Sequence, residues 1–405
     1  MIYEAYRAQA DMLGVWRQLA ASISAALRRP APFVGELCSS RRMGGVLEAF
    51  ASLAVTHERP PFAITEVFDG SQLVPVSEEV VASTPFADLL RFRKETSAQQ
   101  RKALIVAPMS GHFATLLKAT VKTMLQHHDV YVTDWRNVRD IPMAAGAFGF
   151  DDYVEHVIKF LRVLGPAAHA VAVCQPCVGV LTAVSLMAED DDPMQPASMT
   201  LMAGPIDTRA SPTKVNELAL SKPIEWFERN LIARVPSAHA GTGRRVYPGF
   251  MQLAAFVGMN PDRHMRSFRD MAKAIAENDE PKAKLIKDFY DEYFAVMDLP
   301  AEFYLPTVRM VFQEHLLPRG ELTVRGRLVR PKAIRRTALL TVEGERDDIC
   351  GLGQTLAAQD LCSSLRQHMK SHHVQTGVGH YGTFSGRRWS NEIYPRLRDV
   401  IEMTS

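Results

Sequence analysis

A chain of 405 residues, 47% of them hydrophobic, can bury a large core and is long enough for several domains or for one large domain with an insertion. Its 47 basic and 45 acidic side chains leave a net charge of +2, which gives no reason to expect nucleic-acid binding. The five cysteines are odd in number and scattered, so they predict no disulfide framework and indicate a reducing compartment. Because Glu4, Arg7 and Asp11 interrupt the N-terminal segment, we expect no signal peptide and a cytoplasmic protein.

The first 95 residues are predicted to form a helical arm that carries no obvious chemistry. Met12, Trp16, Leu19, Ile23 and Leu27 recur at spacings of four and three, which places them on one side of a helix. Such a stripe most often packs against the core of its own chain. The alternative is a face that contacts a second copy of the chain, in a homo-oligomer, or that adsorbs to a surface.

Strands and helices alternate from residue 103 onward. Short apolar runs predict strands, and residues 150–164 have helical periodicity that Gly165-Pro166 ends. This alternation favours a mostly parallel sheet covered by helices. The predicted strands are residues 103–107, 130–133, 170–173 and 199–202, and the predicted helices are residues 113–125, 150–164 and 178–188.

The sharpest feature of this region is a tight turn between the strand at 170–173 and the helix that follows. The turn, Cys174-Gln175-Pro176, places one nucleophilic side chain between strand and helix, as in a nucleophile elbow. A thiol at a helix N-terminus is pushed toward the thiolate. Two other interpretations stay open at this point: a buried strand with inert cysteines, and a redox dithiol, because Cys174 and Cys177 form a C-x-x-C pair.

The pattern changes between residues 212 and 330, where proline-broken helical segments rich in Phe, Met and Tyr dominate. In a sheet protein of this kind, such an insertion is most simply a cap over the C-terminal ends of the strands; a separate helical domain is the alternative. The predicted helices are residues 214–220, 224–231, 249–259, 265–277 and 283–298. The sheet then resumes at residues 338–342.

Two further side chains lie beyond predicted strand ends. Asp347 follows the strand at 338–342, and His380 lies in a glycine-rich loop after a strand near 373–376. The chain order nucleophile, acid, histidine is that of the α/β-hydrolases, in which the base takes the nucleophile's proton and the acid orients the base. Cys174, Asp347 and His380 are therefore the candidate catalytic residues, with Asp348 and Asp207 as reserve candidates for the acid.

Two groups of backbone N–H donors are candidates for an oxyanion hole. One is the N–H of Gln175, directly after the nucleophile, and the other lies in the loop that follows the strand at 103–107, at Met109 and Ser110. Small residues in this loop allow its backbone to approach a substrate closely. No metal or other cofactor is expected, since the thirteen histidines form no H-E-x-x-H motif.

At these positions the sequence resembles the intracellular poly(3-hydroxybutyrate) depolymerases. The resemblance is carried by residues 107–117 (Ala-Pro-Met-Ser-Gly-His-Phe-Ala-Thr-Leu-Leu), 173–176 (Val-Cys-Gln-Pro), 379–382 (Gly-His-Tyr-Gly) and 384–389 (Phe-Ser-Gly-Arg-Arg-Trp). It implies an α/β-hydrolase that cleaves ester bonds of a stored polyester at the granule surface in the cytoplasm. It also implies Cys174 as nucleophile, His380 as base and Asp347 as the orienting acid.

The whole chain is thus predicted to be an α/β-hydrolase with a mostly parallel central sheet, a helical cap insertion and an N-terminal helical arm. The arm would span residues 1–95, the two parts of the core residues 96–211 and 331–405, and the cap residues 212–330.

Two questions are left open by the sequence. Cys177 and Gly179 offer a second frame for the nucleophile, although Cys177 lies about one turn into the helix. Polyester synthases use the same set of residue types, so an acyltransferase is the main alternative to a hydrolase, with the dithiol oxidoreductase as the weaker one.

Overall fold

The computed structural model describes residues 2–28, 38–96 and 99–404. Nine strands form the central sheet: β1 (Glu66–Asp69), β2 (Gln72–Ser83), β3 (Ala87–Lys94), β4 (Arg101–Val106), β5 (His128–Trp135), β6 (His169–Val173), β7 (Ser198–Met202), β13 (Ala338–Gly344) and β14 (Lys370–Gln375). Their order across the sheet is β1-β2-β3-β5-β4-β6-β7-β13-β14.

The six strands from β5 to β14 in this order run parallel, and β1 to β3 join them as antiparallel neighbours. Strands β4, β6 and β7 are apolar and fully buried along most of their length, as expected for strands covered on both faces. The strand order, with β5 inserted between β3 and β4, and the helical connections define the α/β-hydrolase fold. The predicted fold class is confirmed.

The helices that cover this sheet include the three predicted at residues 113–125, 150–164 and 178–188, whereas the three that follow residue 356 were not predicted. They are α3 (Lys118–Met124), α4 (Phe150–Leu164), α5 (Pro176–Glu189), α13 (Ala357–Leu361), α14 (Gly386–Arg388) and α15 (Tyr394–Met403). The apolar face of α4, which includes Tyr153, Val157 and Phe160, is buried on the sheet. Gly165, with a positive φ of 86°, ends this helix where the sequence predicts its end.

The helical content predicted for residues 1–95 is correct only for the first part. Residues 66–94 form β1 to β3, which extend the central sheet by three antiparallel strands. A tight turn at Gly70-Ser71 joins β1 to β2, and Gly70 has the positive φ that such a hairpin turn requires at its first position. Hydrogen bonding to β5 along one edge explains why this segment is sheet and not helix.

The insertion between β7 and β13 is largely helical, as predicted, with two small sheets. Its helices are α6 (Lys214–Ser221), α7 (Ile224–Leu231), α8 (Gly249–Met259), α9 (Pro261–Ala276), α10 (Glu280–Tyr293), α11 (Ala301–Thr307) and α12 (Leu316–Arg319). Its short strands are β8 (Ala233–Arg234), β9 (Arg245–Tyr247), β10 (Leu299–Pro300), β11 (Thr323–Val324) and β12 (Arg327–Leu328).

Two helices form the arm, α1 (Ile2–Arg28) and α2 (Cys38–Ser52). They pack against each other through Ser24, whose hydroxyl donates to the Gly44 carbonyl. The stripe that the sequence predicts as a packing face is exposed instead, because α1 uses the neighbouring side, with Ala20 and Ser24, for its contact with α2. Residues 29–37 of the predicted arm lie outside the described residues. Within the described ranges, no helix combines the length and apolar character needed to cross a membrane.

Candidate active site

Cys174 lies in the sharp turn between β6 and α5, and the predicted strand–turn–helix is confirmed. Its φ of 67° is in the left-handed region, which is uncommon for a residue with a side chain and stores strain. The turn is held by a hydrogen bond from the Cys174 N–H to the Met202 carbonyl, at 2.8 Å, and Pro176 starts the helix at a position where no N–H is needed. The thiol of Cys174 is thereby placed above the carboxyl end of the sheet, partly exposed.

Close backbone packing supports this turn from behind. A Cβ added at Gly204 would lie 2.2 Å from Cys177 Cβ and 2.3 Å from its Sγ, so only glycine fits there. The backbone of Gly204 is fixed in turn by Thr355, whose hydroxyl accepts its N–H at 2.8 Å. The loop after β7 therefore holds the start of α5, and with it Cys174, in position.

Cys177 has an entirely different environment from that of Cys174. Its side chain is fully buried, and its Sγ donates to the carbonyl oxygens of Ala172 and Met202 at 3.5 and 3.6 Å. Burial raises the pKa of the Cys177 thiol well above its usual value, with the nearby Cys174 adding to the effect. Both thiols are free in the structure. Since a nucleophile or a redox partner must be reachable and partly ionised, the surroundings of Cys177 suit neither role.

The structure brings the other two predicted residues to Cys174. His380 Nδ1 donates to Asp347 Oδ2 at 2.8 Å, and the imidazole lies close enough to the Cys174 thiol for the two to interact electrostatically. The second carboxylate oxygen, Asp347 Oδ1, accepts the backbone N–H groups of Ile349 and Cys350 at 2.9 and 2.8 Å. Both side chains are almost fully buried, with 4% of His380 and 1% of Asp347 exposed. The carboxylate is therefore fixed in one orientation, and it fixes the imidazole.

Opposing effects act on the protonation of His380. Burial lowers the pKa of its imidazole, but Asp347 and Cys174 act in the opposite direction and raise it well above its usual value. The site thus stabilises an imidazolium beside the thiol. A cation in this place favours the thiolate form of a neighbouring cysteine.

The two reserve candidates for the acid are engaged elsewhere. Asp348 is exposed, and its Oδ2 accepts a hydrogen bond from Asn260 Nδ2 at 3.1 Å. Asp207 is paired with Arg209, whose guanidinium donates to both carboxylate oxygens at 2.8 and 2.7 Å. The side-chain hydrogen bonds from Arg209 lower the pKa of Asp207. Of the three carboxylates, Asp347 is the one that contacts His380.

Glu343 positions the loop that carries Asp347. Its buried carboxylate, at the end of β13, accepts the backbone N–H groups of Gly353, Thr355 and Leu356 at 2.8 to 3.0 Å. Thr355 in turn bonds Gly204, which packs behind the nucleophile turn. One buried charge thus ties the acid loop to the nucleophile turn.

We expect Glu343→Gln to destabilise the fold by about 2–3 kcal/mol. The substitution replaces one carboxylate oxygen, which accepts hydrogen bonds, by an NH₂ group, which can only donate and would face backbone N–H groups. The free energy of unfolding in urea measures this directly. Asp360→Asn is the matched control: its carboxylate is exposed just beyond the same loop, and the change should cost less than about 0.5 kcal/mol. Equal stability of the Glu343 variant and the wild-type chain would remove Glu343 from this role.

One of the candidate oxyanion donors, the backbone N–H of Met109, already donates a hydrogen bond within the protein. The backbone N–H of Met109 donates to the side-chain oxygen of Gln175 at 3.1 Å, which joins the loop after β4 to the nucleophile turn. Ser110 is partly exposed next to it. The loop is also held by the insertion, because the Gly111 carbonyl accepts the N–H of Met297 at 2.9 Å. The loop that carries Met109 and Ser110 therefore lies against the turn that carries Gln175, and their role as oxyanion donors stays a prediction.

An aromatic cluster from the insertion covers the side of the site that His380 occupies. The ring of Tyr381, the neighbour of His380, packs edge-on against the rings of Tyr293 and Phe289. Tyr293 also accepts, through its carbonyl oxygen, a hydrogen bond from His112 at 3.1 Å, and burial lowers the pKa of His112 to about 4, so its ring is neutral. Most of the cluster comes from α8, α9, α10 and the segment that follows, and Leu53, Val55 and Tyr381 complete it. Its members in the insertion are Leu253, Phe256, Val257, Phe268, Ile286, Phe289, Tyr290, Tyr293, Phe294 and Val296.

Sequence reasoning did not single out Glu343, Tyr293 or Tyr381 as site residues. A glutamate at the end of an otherwise apolar buried strand is a usable signal for Glu343, since a buried charge needs partners. Tyr293 has no such signal, because its role depends on how the insertion folds back over the loop after β4.

The strand order, the strained strand–helix turn and the buried His380–Asp347 pair place this chain in the class of α/β-hydrolases. The family described as "PHB de-polymerase C-terminus" matches residues 203–405, half of the chain. The chain belongs to this family of poly(3-hydroxybutyrate) depolymerases and is an ester hydrolase.

Solved structures with a similar fold include three hydrolases. The 2-hydroxy-6-oxo-6-phenylhexa-2,4-dienoate hydrolase of Rhodococcus sp. strain RHA1 is 13% identical, with 81% of this chain and 99% of that chain covered and a TM-score of 0.45. The α/β-hydrolase GrgF of Penicillium sp. sh18 is 15% identical, with 82% of this chain and 99% of that chain covered and a TM-score of 0.46. The naproxen esterase of Bacillus subtilis is 12% identical, with 91% of this chain and 100% of that chain covered and a TM-score of 0.41. We draw nothing further from similarities this low. No curated protein sequence matches the chain.

Proposed function

We propose that the protein hydrolyses the ester bonds of stored poly(3-hydroxybutyrate) through a thioester on Cys174, with His380 as general base and acid and Asp347 as the residue that orients it. The observation that carries this proposal is the hydrogen-bonded His380–Asp347 pair beside Cys174 at a strained strand–helix turn, in a chain of a depolymerase family. We place the enzyme in the cytoplasm at the surface of storage granules.

The first half of the reaction transfers the acyl group to sulfur. His380 holds the proton of Cys174, and the thiolate attacks the ester carbonyl carbon to form a C–S bond and an oxyanion. When the intermediate collapses, the C–O bond breaks and His380 returns its proton to the departing alkoxide. Asp347 holds the imidazole through Nδ1, which leaves Nε2 free to face the sulfur and the leaving group.

The oxyanion would be stabilised by backbone N–H groups at the two predicted positions. The N–H of Gln175 lies next to the nucleophile, and those of Met109 and Ser110 lie in the loop opposite. Because the Gln175 side chain accepts the Met109 N–H in the structure, we propose that it moves aside when the substrate oxygen binds. A donor of this kind contributes about 3–4 kcal/mol to the stabilisation of the transition state.

The second half of the reaction releases the product. His380 takes a proton from water, the hydroxide attacks the thioester carbonyl carbon, and the C–S bond breaks. The product is a 3-hydroxy acid or an oligomer with a free carboxylate. A synthase would instead pass the acyl group from sulfur to the hydroxyl end of a growing chain, so the fate of the thioester distinguishes the two.

The insertion at residues 212–330 is proposed as a cap that guides the polymer to Cys174. Its aromatic cluster packs on Tyr381, directly beside His380. A polyester chain is apolar, and the burial of apolar surface contributes roughly 25 cal/mol per Å² to binding. The residues on both sides of the insertion, 96–211 and 331–405, carry the reacting groups.

One assay tests the proposed function: release of 3-hydroxybutyrate from amorphous polymer by the purified protein, with and without prior thiol alkylation. We expect release by the untreated protein and none after alkylation. Hydrolysis of short soluble esters without any action on the polymer would overturn the substrate assignment. Release that survives complete alkylation of Cys174 would overturn the mechanism.

The pH dependence of Cys174 alkylation should depend on Asp347. In Asp347→Asn the negative charge that raises the pKa of His380 is absent, while burial still lowers it. The imidazolium is then lost at a lower pH, and the thiolate loses its cation. We expect iodoacetamide to modify Cys174 about ten-fold more slowly at pH 6–7 in this variant, with the rise of the rate shifted to higher pH.

Asp348→Asn serves as the control for this experiment, since its carboxylate is exposed and contacts Asn260. Its alkylation profile should overlay that of the wild-type protein. Identical profiles for all three proteins would show that Asp347 does not set the protonation of His380.

A further inference from the structure

The arm carries an apolar surface that no described part of the chain covers. Six large apolar side chains between residues 12 and 27 of α1 are between 37% and 67% exposed. Their spacing places them on one side of the helix, next to the side that packs on α2. We call this surface the arm face; it consists of Met12, Val15, Trp16, Leu19, Ile23 and Leu27.

The arm face is firmly attached to the insertion over the active site. At one end of α1, the Tyr3 hydroxyl donates to the buried carboxylate of Asp298 at 2.5 Å, and the Tyr6 ring stacks on Phe250 of α8 at 3.9 Å. At the other end α1 packs on α2, and α2 lies against α9, where Gly45 meets the Ala272 carbonyl so closely that no Cβ would fit. A surface bound at the arm face is therefore held near the insertion whose aromatic cluster packs on Tyr381, beside His380.

The chemistry of the arm face matches a partner without charge and without hydrogen-bond donors. Between residues 12 and 27 the sole charged residue is Arg17, and its Nη1 donates to the Leu53 carbonyl of its own chain. The Ser22 hydroxyl is likewise satisfied within the helix, by the Gln18 carbonyl. A second apolar row on α2, with Met43, Val46 and Phe50, is also exposed.

We propose that the arm face binds the surface of an amorphous aliphatic polyester and adsorbs the enzyme to its substrate; this inference rests on the proposed function. An amorphous polyester offers apolar chain segments and ester oxygens but no N–H or O–H groups along the chain. An apolar face without charges meets it with little desolvation penalty, and the indole N–H of Trp16, the one polar group among the side chains of the face, can donate to an ester oxygen. Contiguous exposed apolar surfaces of this kind mark interaction sites.

Two other occupants fit the face less well. Helices that lie on anionic membranes are rich in Lys and Arg on their polar side, whereas residues 12–27 contain one basic residue. A second copy of the chain would need about 800 Å² on each partner and about one hydrogen bond per 100–200 Å², and the arm face offers few groups that could form them.

The test compares two double variants of α1 that each add two negative charges. Trp16→Glu with Leu19→Glu places them on the arm face, and Gln18→Glu with Ala25→Glu places them at exposed positions on another side of the helix. For each protein we would measure co-sedimentation with amorphous granules at low and high salt, hydrolysis of a soluble butyrate ester, polymer hydrolysis, and molar mass by light scattering. Co-sedimentation with vesicles of phosphatidylcholine and of phosphatidylglycerol completes the comparison.

We expect the arm-face variant to bind granules at least about ten-fold more weakly and to degrade them correspondingly more slowly, while its soluble-ester hydrolysis stays unchanged. The control variant should match the wild-type protein in every one of these measurements. High salt should release neither the control variant nor the wild-type protein from granules. Unchanged granule binding by the arm-face variant would overturn the proposal. Equally tight vesicle binding by the wild-type protein, or a wild-type dimer that this variant converts to a monomer, would replace the polyester by lipid or by a second copy. A wild-type protein that cleaves no polymer would instead refute the proposed function itself.

Discussion

Cys174→Ala is expected to abolish ester cleavage, with a loss in kcat on the order of 10⁶, because no other described thiol is placed to attack a substrate. The strained turn presents the Cys174 thiol beside His380, whereas the Cys177 thiol is buried against the carbonyl oxygens of Ala172 and Met202. Turnover of a soluble ester, with circular dichroism to confirm folding, measures the effect.

Cys177→Ala is the matched control for this prediction. The change removes the same side-chain group, a thiol, three residues further along the chain, at a buried position. It should lower the free energy of unfolding by about 1 kcal/mol while most of the activity remains. Equal loss of activity in the two folded variants would make a dithiol mechanism the better account and would contradict the assignment of Cys174 as the single nucleophile.

The second large effect is expected for Asp347→Asn, which should lower turnover by about 10⁴. The amide cannot accept the His380 Nδ1–H in the same way, so the imidazole loses the tautomer and the orientation that let Nε2 act as base. The pKa of His380 also falls, since Asp347 is the foremost of the groups that raise it. Steady-state kinetics on a soluble ester at saturating concentration gives kcat without interference from adsorption.

Asp348→Asn and Asp207→Asn are the controls for the claim that Asp347 is the acid that orients His380. Asp348 is exposed and contacts Asn260, and Asp207 is paired with Arg209, so each change should leave kcat within a few-fold of the wild-type value. A large loss at Asp207 with little change at Asp347 would place the acid after β7 and not after β13.

The sheet and its helices were largely predictable because their residues follow a simple period. Residues 150–164 form one helix with the predicted bounds, and the buried strand before Cys174 is as apolar as a covered parallel strand must be. The elbow at Cys174 could be predicted because Pro176 breaks the apolar run at one point.

The antiparallel strands β1 to β3 could not be found by the same means. They lie at the edge of the sheet and alternate buried with exposed residues irregularly, as in β2. The Asp69-Gly70 pair was the available hairpin signal. The arm face shows a second limit of sequence-based prediction. A periodic apolar stripe predicts a helix but does not reveal whether other parts of the protein cover the stripe. In this chain α1 packs on α2 through the side of the helix that adjoins the arm face, and the arm face itself is exposed.

At the site, the sequence predicts which residue types come together but not the contacts that choose among neighbours. Asp347 and Asp348 are adjacent, and only the direction of the loop after β13 decides which one meets His380. The hydrogen bond from Met109 to Gln175 joins residues far apart in the chain, so no local pattern indicates it.

The most direct test of the account is to identify the acyl-enzyme. The wild-type protein would be mixed with an activated ester of 3-hydroxybutyrate, quenched in acid during turnover, and analysed by mass spectrometry of the intact chain and of its peptides. We predict one hydroxyacyl group on the peptide that contains Cys174, released by neutral hydroxylamine as a thioester is. An acyl group on Cys177 or on a serine, or turnover without any acyl-enzyme, would contradict the central claim.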